Sequence, residues 1–122
     1  MKEQCAMHDL FTGFEGEPEV RFRLLLDGTC VEEVRIWGGD FRQLIELLPV
    51  TPSGWQGLAL RYHLLDAWDV APWRVHPIEE IVAQWASLDP TRLAPRPKRA
   101  HALILGLLTR ALKSGEAWIE SW

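Results

Sequence analysis

The segment VRFRLLLDGTCVEEVRIW, residues 20–37, determines the predicted fold of this 122-residue chain. In its first half, apolar side chains alternate with arginines, which is the pattern of a strand with one buried face. Asp27 and Gly28 follow, and an Asp-Gly pair between two such runs is a strong signal for a tight turn. The segment therefore predicts a β-hairpin over residues 20–37.

The length of the turn sets the register of this hairpin. A two-residue turn would place Phe22 opposite Glu33, whereas a three-residue turn would place Phe22 opposite Val34 and Leu26 opposite Cys30. We favour the three-residue turn because it keeps the apolar side chains of both strands on one face. In that register Cys30 lies on the core face as a small buried side chain.

Helical spacing dominates the chain after the hairpin. Asp40 can cap the first helix, and Gln43 completes a capping-box pattern three residues later. The predicted helices span residues 40–48, 54–68, 77–88 and 98–114. Residues 1–19 are predicted to form an arm or a short strand. The expected fold is a single α+β domain, residues 1–122, in which a small antiparallel hairpin or sheet is followed by about four helices.

The charge distribution favours a protein partner over nucleic acid or membrane. The net charge is −4, and the first 19 residues are the acidic part of the chain: Glu3, Asp9, Glu15, Glu17 and Glu19 stand against Lys2 alone. Acidic proteins are repelled by nucleic acid and by anionic membranes. The basic residues Arg92, Arg96, Lys98 and Arg99 lie in a short, proline-interrupted run, which we interpret as a solvated loop.

The two cysteines, Cys5 and Cys30, are too few for a disulfide framework. The first residues do not have the apolar core of a signal peptide, and no apolar run approaches the roughly 18 residues of a membrane span. The sequence therefore predicts a cytoplasmic protein with reduced thiols that have no redox role.

Catalytic and metal-binding patterns are weak. His63 and Asp66 are three residues apart on a predicted helix, so they could serve a small enzyme as an acid–base pair, although such pairs are also common on helix surfaces. His76 with Glu79 and Glu80 could ligate a metal, but a helix start accounts for the same residues. We expect no metal, no cofactor and no catalysis.

Tryptophans supply candidate contact points. Trp73 lies in a segment with a proline on each side, and it could either fill the core between two helices or face outward as an anchor. Trp122 ends the chain and lies four residues after Trp118, so the two share a side in a helix or in a strand. A further alternative is a pocket for a small ligand between residues 51–68 and the loop 69–77.

In length, acidity and the pattern of VRFRLLLDGTCVEEVRIW followed by helices, the chain resembles the small immunity proteins of bacterial toxin–immunity systems, such as contact-dependent growth inhibition. The resemblance implies a cytoplasmic, non-catalytic protein that binds and neutralises one toxin. Its partner would be a basic toxin domain that is met by carboxylates and held by apolar anchors. The candidate carboxylates are Glu15, Glu17, Glu32, Glu33, Asp66 and Asp69, and the candidate anchors are Trp73 and Trp122.

Overall fold

A five-stranded mixed sheet with helices packed on one face forms the framework of the protein. The computed structural model describes residues 5–48, 73–75 and 78–121. The strands are β1 (Ala6–Leu10), β2 (Glu19–Leu26), β3 (Thr29–Trp37), β4 (Trp73–Arg74) and β5 (Glu116–Ser121), in the order β1-β3-β2-β5-β4. The helices are α1 (Gly38–Glu46), α2 (Ile78–Ala86) and α3 (Pro95–Lys113), with a short 3₁₀ turn at Pro90–Arg92.

The α+β class is as predicted, but the sheet is not antiparallel throughout. Strand β1 runs parallel to β3, while β2 pairs antiparallel with both β3 and β5. The described residues contain three α-helices, and the predicted helix 54–68 lies outside them. Across the described ranges, no helix is both long enough and apolar enough to cross a membrane.

The hairpin register combines both expected turn lengths, which corrects the three-residue prediction. Asp27 and Gly28 have φ angles of 51° and 80°, so both occupy the left-handed region required by a two-residue turn of type I′. Leu26 therefore pairs with Thr29, but a bulge beyond Leu25 restores the pairing of Phe22 with Val34.

The bulge changes the face on which Cys30 lies. Cys30 pairs with Leu25, Val31 is the extra residue, and Glu32 pairs with Leu24. Leu24 points into the core and Leu25 does not, so Cys30 lies on the outer face of the sheet. The predicted position of Cys30 in the core is therefore wrong, because the extra residue shifts the alternation between the turn and the rest of β3.

The core lies between the inner face of the sheet and the helices. The fully buried Trp85 of α2 lies near Phe22 and Phe41, with ring centroids 6.2 and 6.4 Å away. Its indole N–H donates to the carbonyl oxygen of His101 at 3.2 Å, and the His101 ring nitrogen lies 2.8 Å from the Trp85 carbonyl oxygen. These paired hydrogen bonds join α2 to α3 and satisfy two buried polar side chains.

Asp40 does not cap α1 as predicted. The helix begins at Gly38, after Trp37 as its N-cap, and no side chain caps it. The fully buried Asp40 carboxylate instead accepts two hydrogen bonds from Arg96 of α3, at 2.6 and 3.1 Å. The capping box with Gln43 is therefore also wrong, and one member of the basic run has a structural role.

The segment around Trp73 is a strand and not only a loop. Trp73 pairs with Ile119 and Arg74 with Trp118, so β4 extends the sheet beyond β5. The Val75 N–H continues this pairing with the Ala117 carbonyl oxygen at 2.8 Å. The side chain of Trp73 lies outside the described part of the structure, so both alternatives for it, core filler or outward anchor, stay open.

Candidate functional site

The acidic loop, defined as residues 11–18 between β1 and β2, is anchored at its start by Asp9. One carboxylate oxygen of Asp9 accepts from the backbone N–H groups of Phe11 and Thr12, at 2.8 and 3.1 Å. The other accepts from the Thr12 hydroxyl at 2.9 Å. The hydrogen bond from Phe11 is the main cause that lowers the pKa of Asp9. The ionised carboxylate therefore fixes the backbone where the loop leaves the sheet.

A stack of side chains anchors the middle of the acidic loop. The rings of Phe14 and Trp37 stack with centroids 4.6 Å apart and planes 9° from parallel. The Arg96 guanidinium lies 4.6 Å from the Phe14 ring centroid while it holds the Asp40 carboxylate. Cation–π contact and ion pairing thus tie the loop to both α1 and α3.

Two predicted partner-binding carboxylates, Glu15 and Glu17, project from this anchored loop, and both are exposed. The backbone N–H of Gly13 donates to the Glu15 carboxylate at 3.1 and 3.2 Å, and this hydrogen bond is the main cause that lowers the pKa of Glu15. The Glu17 N–H donates to the Phe14 carbonyl oxygen at 2.9 Å. The loop therefore presents negative charge from a backbone with defined hydrogen bonds.

Glu32 and Glu33, predicted for the same surface, lie in the sheet and are only 7% and 6% exposed. Glu32 faces the helices, where its carboxylate pairs with Arg110 and lies 3.1 Å from the His8 ring nitrogen. Glu33 lies on the outer face and accepts from Arg23 at 2.8 Å. Both carboxylates are engaged within the chain and offer little surface to a partner. The sequence shows that Glu32 and Glu33 are charged, but it does not show that Arg110 and Arg23 pair with them in the fold.

The other predicted contact residues are not placed by the described structure. Asp66, Asp69 and Trp122 lie outside the described residues, as does the His63–Asp66 pair of the enzyme alternative. Trp73 is placed through its backbone alone. The structure thus brings Glu15 and Glu17 together in one loop, and it separates them from Glu32 and Glu33.

A second feature, absent from the sequence predictions, lies on the outer face near the hairpin turn. The sulfur atoms of Cys5 and Cys30 are 2.6 Å apart. They line a groove of about 520 Å³, together with Met7, Arg23, Leu25, Gly28, Glu33 and Trp118. We call this feature the thiol groove. The sequence could not reveal it, because it depends on the parallel pairing of β1 and on the bulge in β3.

Within the described ranges, no three histidine, cysteine or carboxylate side chains converge as a metal site. His76 is outside these ranges, while Glu79 and Glu80 are exposed in the first turn of α2. The buried carboxylates of Glu19 and Asp40 are held by arginines. Ion pairs of this kind satisfy buried charges and have a structural role.

Comparison with protein-family models, with curated proteins and with solved structures finds no match for this chain. The acidic loop and the thiol groove are therefore the features from which its function has to be inferred.

Proposed function

We propose that this chain is a non-catalytic protein-binding module, specifically an immunity or inhibitor protein that neutralises a cognate toxin in the cytoplasm by binding it. The observation that carries this proposal is the acidic loop, in which Glu15 and Glu17 are exposed on an anchored backbone. The partner that suits this surface is a basic toxin domain.

The anchoring supports binding because an ordered loop loses less conformational freedom when a partner docks. Asp9 holds one end of the acidic loop, and the Phe14–Trp37–Arg96 stack holds its middle. Such a loop contributes to stability through these contacts while its two outward carboxylates contribute nothing to the core. Exposed charges of this kind are suited to recognition.

Charge supports the choice of a basic partner. The chain carries a net charge of −4, and exposed carboxylates accelerate association with a positively charged surface by electrostatic steering. This acceleration decreases as salt screens the charges, with a screening length of roughly 8 Å at physiological ionic strength. The proposed complex should therefore form more slowly in high salt.

The buried ionisable groups support a non-catalytic role. A general acid or base must be able to exchange its proton with a substrate. In the described part of the chain, the carboxylates of Glu19, Glu32 and Asp40 are instead held by Arg35, Arg110 and Arg96. Their environment fits structural ion pairs. The alternative predictions are a small-ligand-binding domain and a small enzyme that uses His63 and Asp66.

The test uses a purified toxin domain encoded beside this chain and compares two matched double variants. Glu15→Gln with Glu17→Gln removes both charges of the acidic loop. Glu79→Gln with Glu80→Gln removes two exposed charges from the first turn of α2. We expect the loop variant to raise Kd roughly 10-fold or more, mainly by slowing association, and the α2 variant to change Kd less than about 2-fold.

Surface plasmon resonance at several salt concentrations measures the Kd and the association rate of each variant and so distinguishes the possible outcomes. The proposal predicts that the loop variant also weakens the salt dependence of the association rate. Equal effects of the two double variants would remove the acidic loop from the interface. Absence of binding to the neighbouring toxin, with turnover of a small substrate that is abolished by His63→Ala in a folded protein, would overturn the proposal in favour of an enzyme.

A further inference from the structure

The two cysteines lie in contact although 25 positions separate them in the chain. Their sulfur atoms are 2.6 Å apart, so only a small movement separates them from the roughly 2.05 Å of a disulfide bond. Cys30 also lies 3.6 Å from the Glu32 carbonyl oxygen, and Cys5 lies 3.9 Å from the Ala6 carbonyl oxygen. Each thiol thus lies within reach of one backbone carbonyl oxygen as well as of the other thiol.

The backbone of the sheet imposes this proximity. Strand β1 starts at Ala6, which is in register with Glu32 of β3, so Cys5 lies beside the bulged residues of that strand. The bulge at Val31 keeps Cys30 on the outer face, which is the face of Cys5 and Met7. The pairing of β1 with β3 thus brings Cys5, which directly precedes β1, next to Cys30 of β3.

Both thiols can be reached from outside. Cys5 and Cys30 are each half-buried, and both line the thiol groove of about 520 Å³. Arg23, which is paired with Glu33, and the aromatic side chain of Trp118 line the same groove. The groove therefore gives a small disulfide a path to the two sulfur atoms.

We propose that Cys5 and Cys30 form a reversible dithiol–disulfide site that exchanges with low-molecular-weight disulfides of the glutathione class. One thiolate attacks the external disulfide, forms a mixed disulfide and releases the first external thiol. The second protein thiolate then attacks the protein sulfur of the mixed disulfide and releases the second external thiol. The protein loses two electrons and two protons, and the external disulfide gains both, so the reaction is balanced.

A metal ion suits this pair less well than a disulfide does. Structural zinc takes four ligands, whereas in the described ranges no third histidine, cysteine or carboxylate completes a metal cluster with the two sulfur atoms. Two thiols in contact supply both sulfur atoms of an intramolecular disulfide, and the external disulfide accepts the two electrons.

The environment of Cys5 slows the attack by this thiol at neutral pH. Burial, followed by the hydrogen bond with Cys30, raises the pKa of the Cys5 thiol to about 12. Since the thiolate is the attacking species, little of it forms at neutral pH. The exchange rate should therefore increase as pH rises, while the position of the equilibrium is governed by the geometry of the strands.

The decisive measurement is the oxidation equilibrium of the full chain in glutathione buffers, first in the folded state and then in denaturant. Acid quenching, alkylation of free thiols and mass spectrometry report each redox form. A disulfide stabilises a fold by the same factor by which the fold stabilises the disulfide. Because the disulfide would close a loop between positions 5 and 30, the equilibrium constant for oxidation should be about 100-fold larger in the folded chain than in the denatured chain. An equal or smaller constant in the folded chain would overturn the proposal.

Two single variants and a melting curve complete the test. Cys5→Ser and Cys30→Ser should each accumulate a mixed disulfide with glutathione, whereas the wild type should lose two hydrogen atoms and retain no glutathione. Oxidation should raise Tm by about 10 °C in the wild type and leave both variants unchanged. A wild type that retains two glutathiones, or that forms only disulfide-linked dimers, would contradict the proposal.

Discussion

Asp40 is the most deeply buried carboxylate in the described residues, with 0% exposure, and Arg96 is its partner. Arg96→Ala would leave this charge unpaired and would remove the guanidinium from the Phe14 and Trp37 rings. A fully buried pair costs about 3–5 kcal/mol to break in this way. Because the Arg96 side chain is 45% exposed, water can reach the site, and we expect a loss of about 2 kcal/mol in the free energy of unfolding, measured by urea denaturation.

The matched control for Arg96 is Arg42→Ala on α1. Arg42 also pairs with a carboxylate, that of Glu46 at 3.3 Å, but both side chains are more than half exposed. Exposed pairs four residues apart on a helix contribute about 0.3–0.5 kcal/mol. Equal losses in the two variants would mean that the buried position of Asp40 has no energetic consequence.

Glu19 makes the free energy of unfolding depend on pH in the acidic range. Burial disfavours its ionised form, but hydrogen bonds from Arg35 and Arg21 outweigh this effect and lower its pKa below the ordinary value of 4.5. The unfolded chain therefore binds this proton at a higher pH than the folded chain does. The stabilisation is complete above about pH 4.5 and is lost as pH falls through the lower, folded pKa.

The variant Glu19→Gln removes this titration. We expect its urea midpoint to be lower than that of the wild type at neutral pH and to fall less steeply below pH 4.5. Urea denaturation at a series of pH values measures both effects. Parallel curves for the two proteins would assign the acid sensitivity to other carboxylates.

At the scale of elements, Gly115 allows α3 to turn directly into β5. Its φ angle is +99°, and a Cβ added there would lie 2.5 Å from the Leu25 carbonyl oxygen and 2.5 Å from a methyl carbon of Leu26. Gly115→Ala combines an unfavourable backbone angle with a collision against β2. We therefore expect it to lower the free energy of unfolding by about 2 kcal/mol or more, measured by thermal and urea denaturation.

Gly106→Ala provides the opposite case within α3. A Cβ at this position would meet only the Arg110 guanidinium, at 3.6 Å, which is an ordinary contact. Alanine favours a helix over glycine by up to about 1 kcal/mol, so this variant should be more stable than the wild type. A stabilised Gly115→Ala variant would show that the junction can relax without cost.

Elements with a local signal could be predicted from the sequence, whereas those that depend on distant pairing could not. The apolar face indicated the pairing of Phe22 with Val34, and this pairing is right. The three-residue turn favoured for it is wrong, because the bulge at Val31 produces the same pairing with a two-residue turn at Asp27 and Gly28. Strand β1 had no such signal, because its partner β3 lies more than 20 residues away and pairs with it in parallel. Propensity is a weak guide for such short strands.

The same distinction applies to the candidate site. The exposed charges of Glu15 and Glu17 follow from a local run of glycine, proline and acid, which is typical of a surface loop. The intramolecular pairs of Glu32 with Arg110 and of Asp40 with Arg96 connect residues far apart in the chain. The Cys5–Cys30 contact is of this second kind too. Functional predictions based on charge alone therefore included carboxylates that form ion pairs within the folded chain.

At the scale of the whole molecule, the last described strand in the sequence is an internal strand of the sheet. Strand β5 lies between β2 and β4, and it buries Ala117 and Ile119 in the core. Six consecutive pairs join it to β2, from Leu25 opposite Glu116 to Val20 opposite Ser121. The core that β2 and β3 begin therefore depends on residues 116–121, which follow the end of β3 by about 80 positions in the chain.

We expect a chain that ends at Ser114 to be unfolded. Without β5, strand β2 loses one hydrogen-bonded neighbour and its core residues lose Ile119, whose truncation alone would cost about 2–5 kcal/mol. The total free energy of unfolding of a domain is only about 5–15 kcal/mol. Circular dichroism should show no cooperative melting of the shortened chain. A peptide of residues 115–122 should restore melting, whereas the same peptide with Ile119→Asp should not, and cooperative melting without any peptide would show that β5 is dispensable.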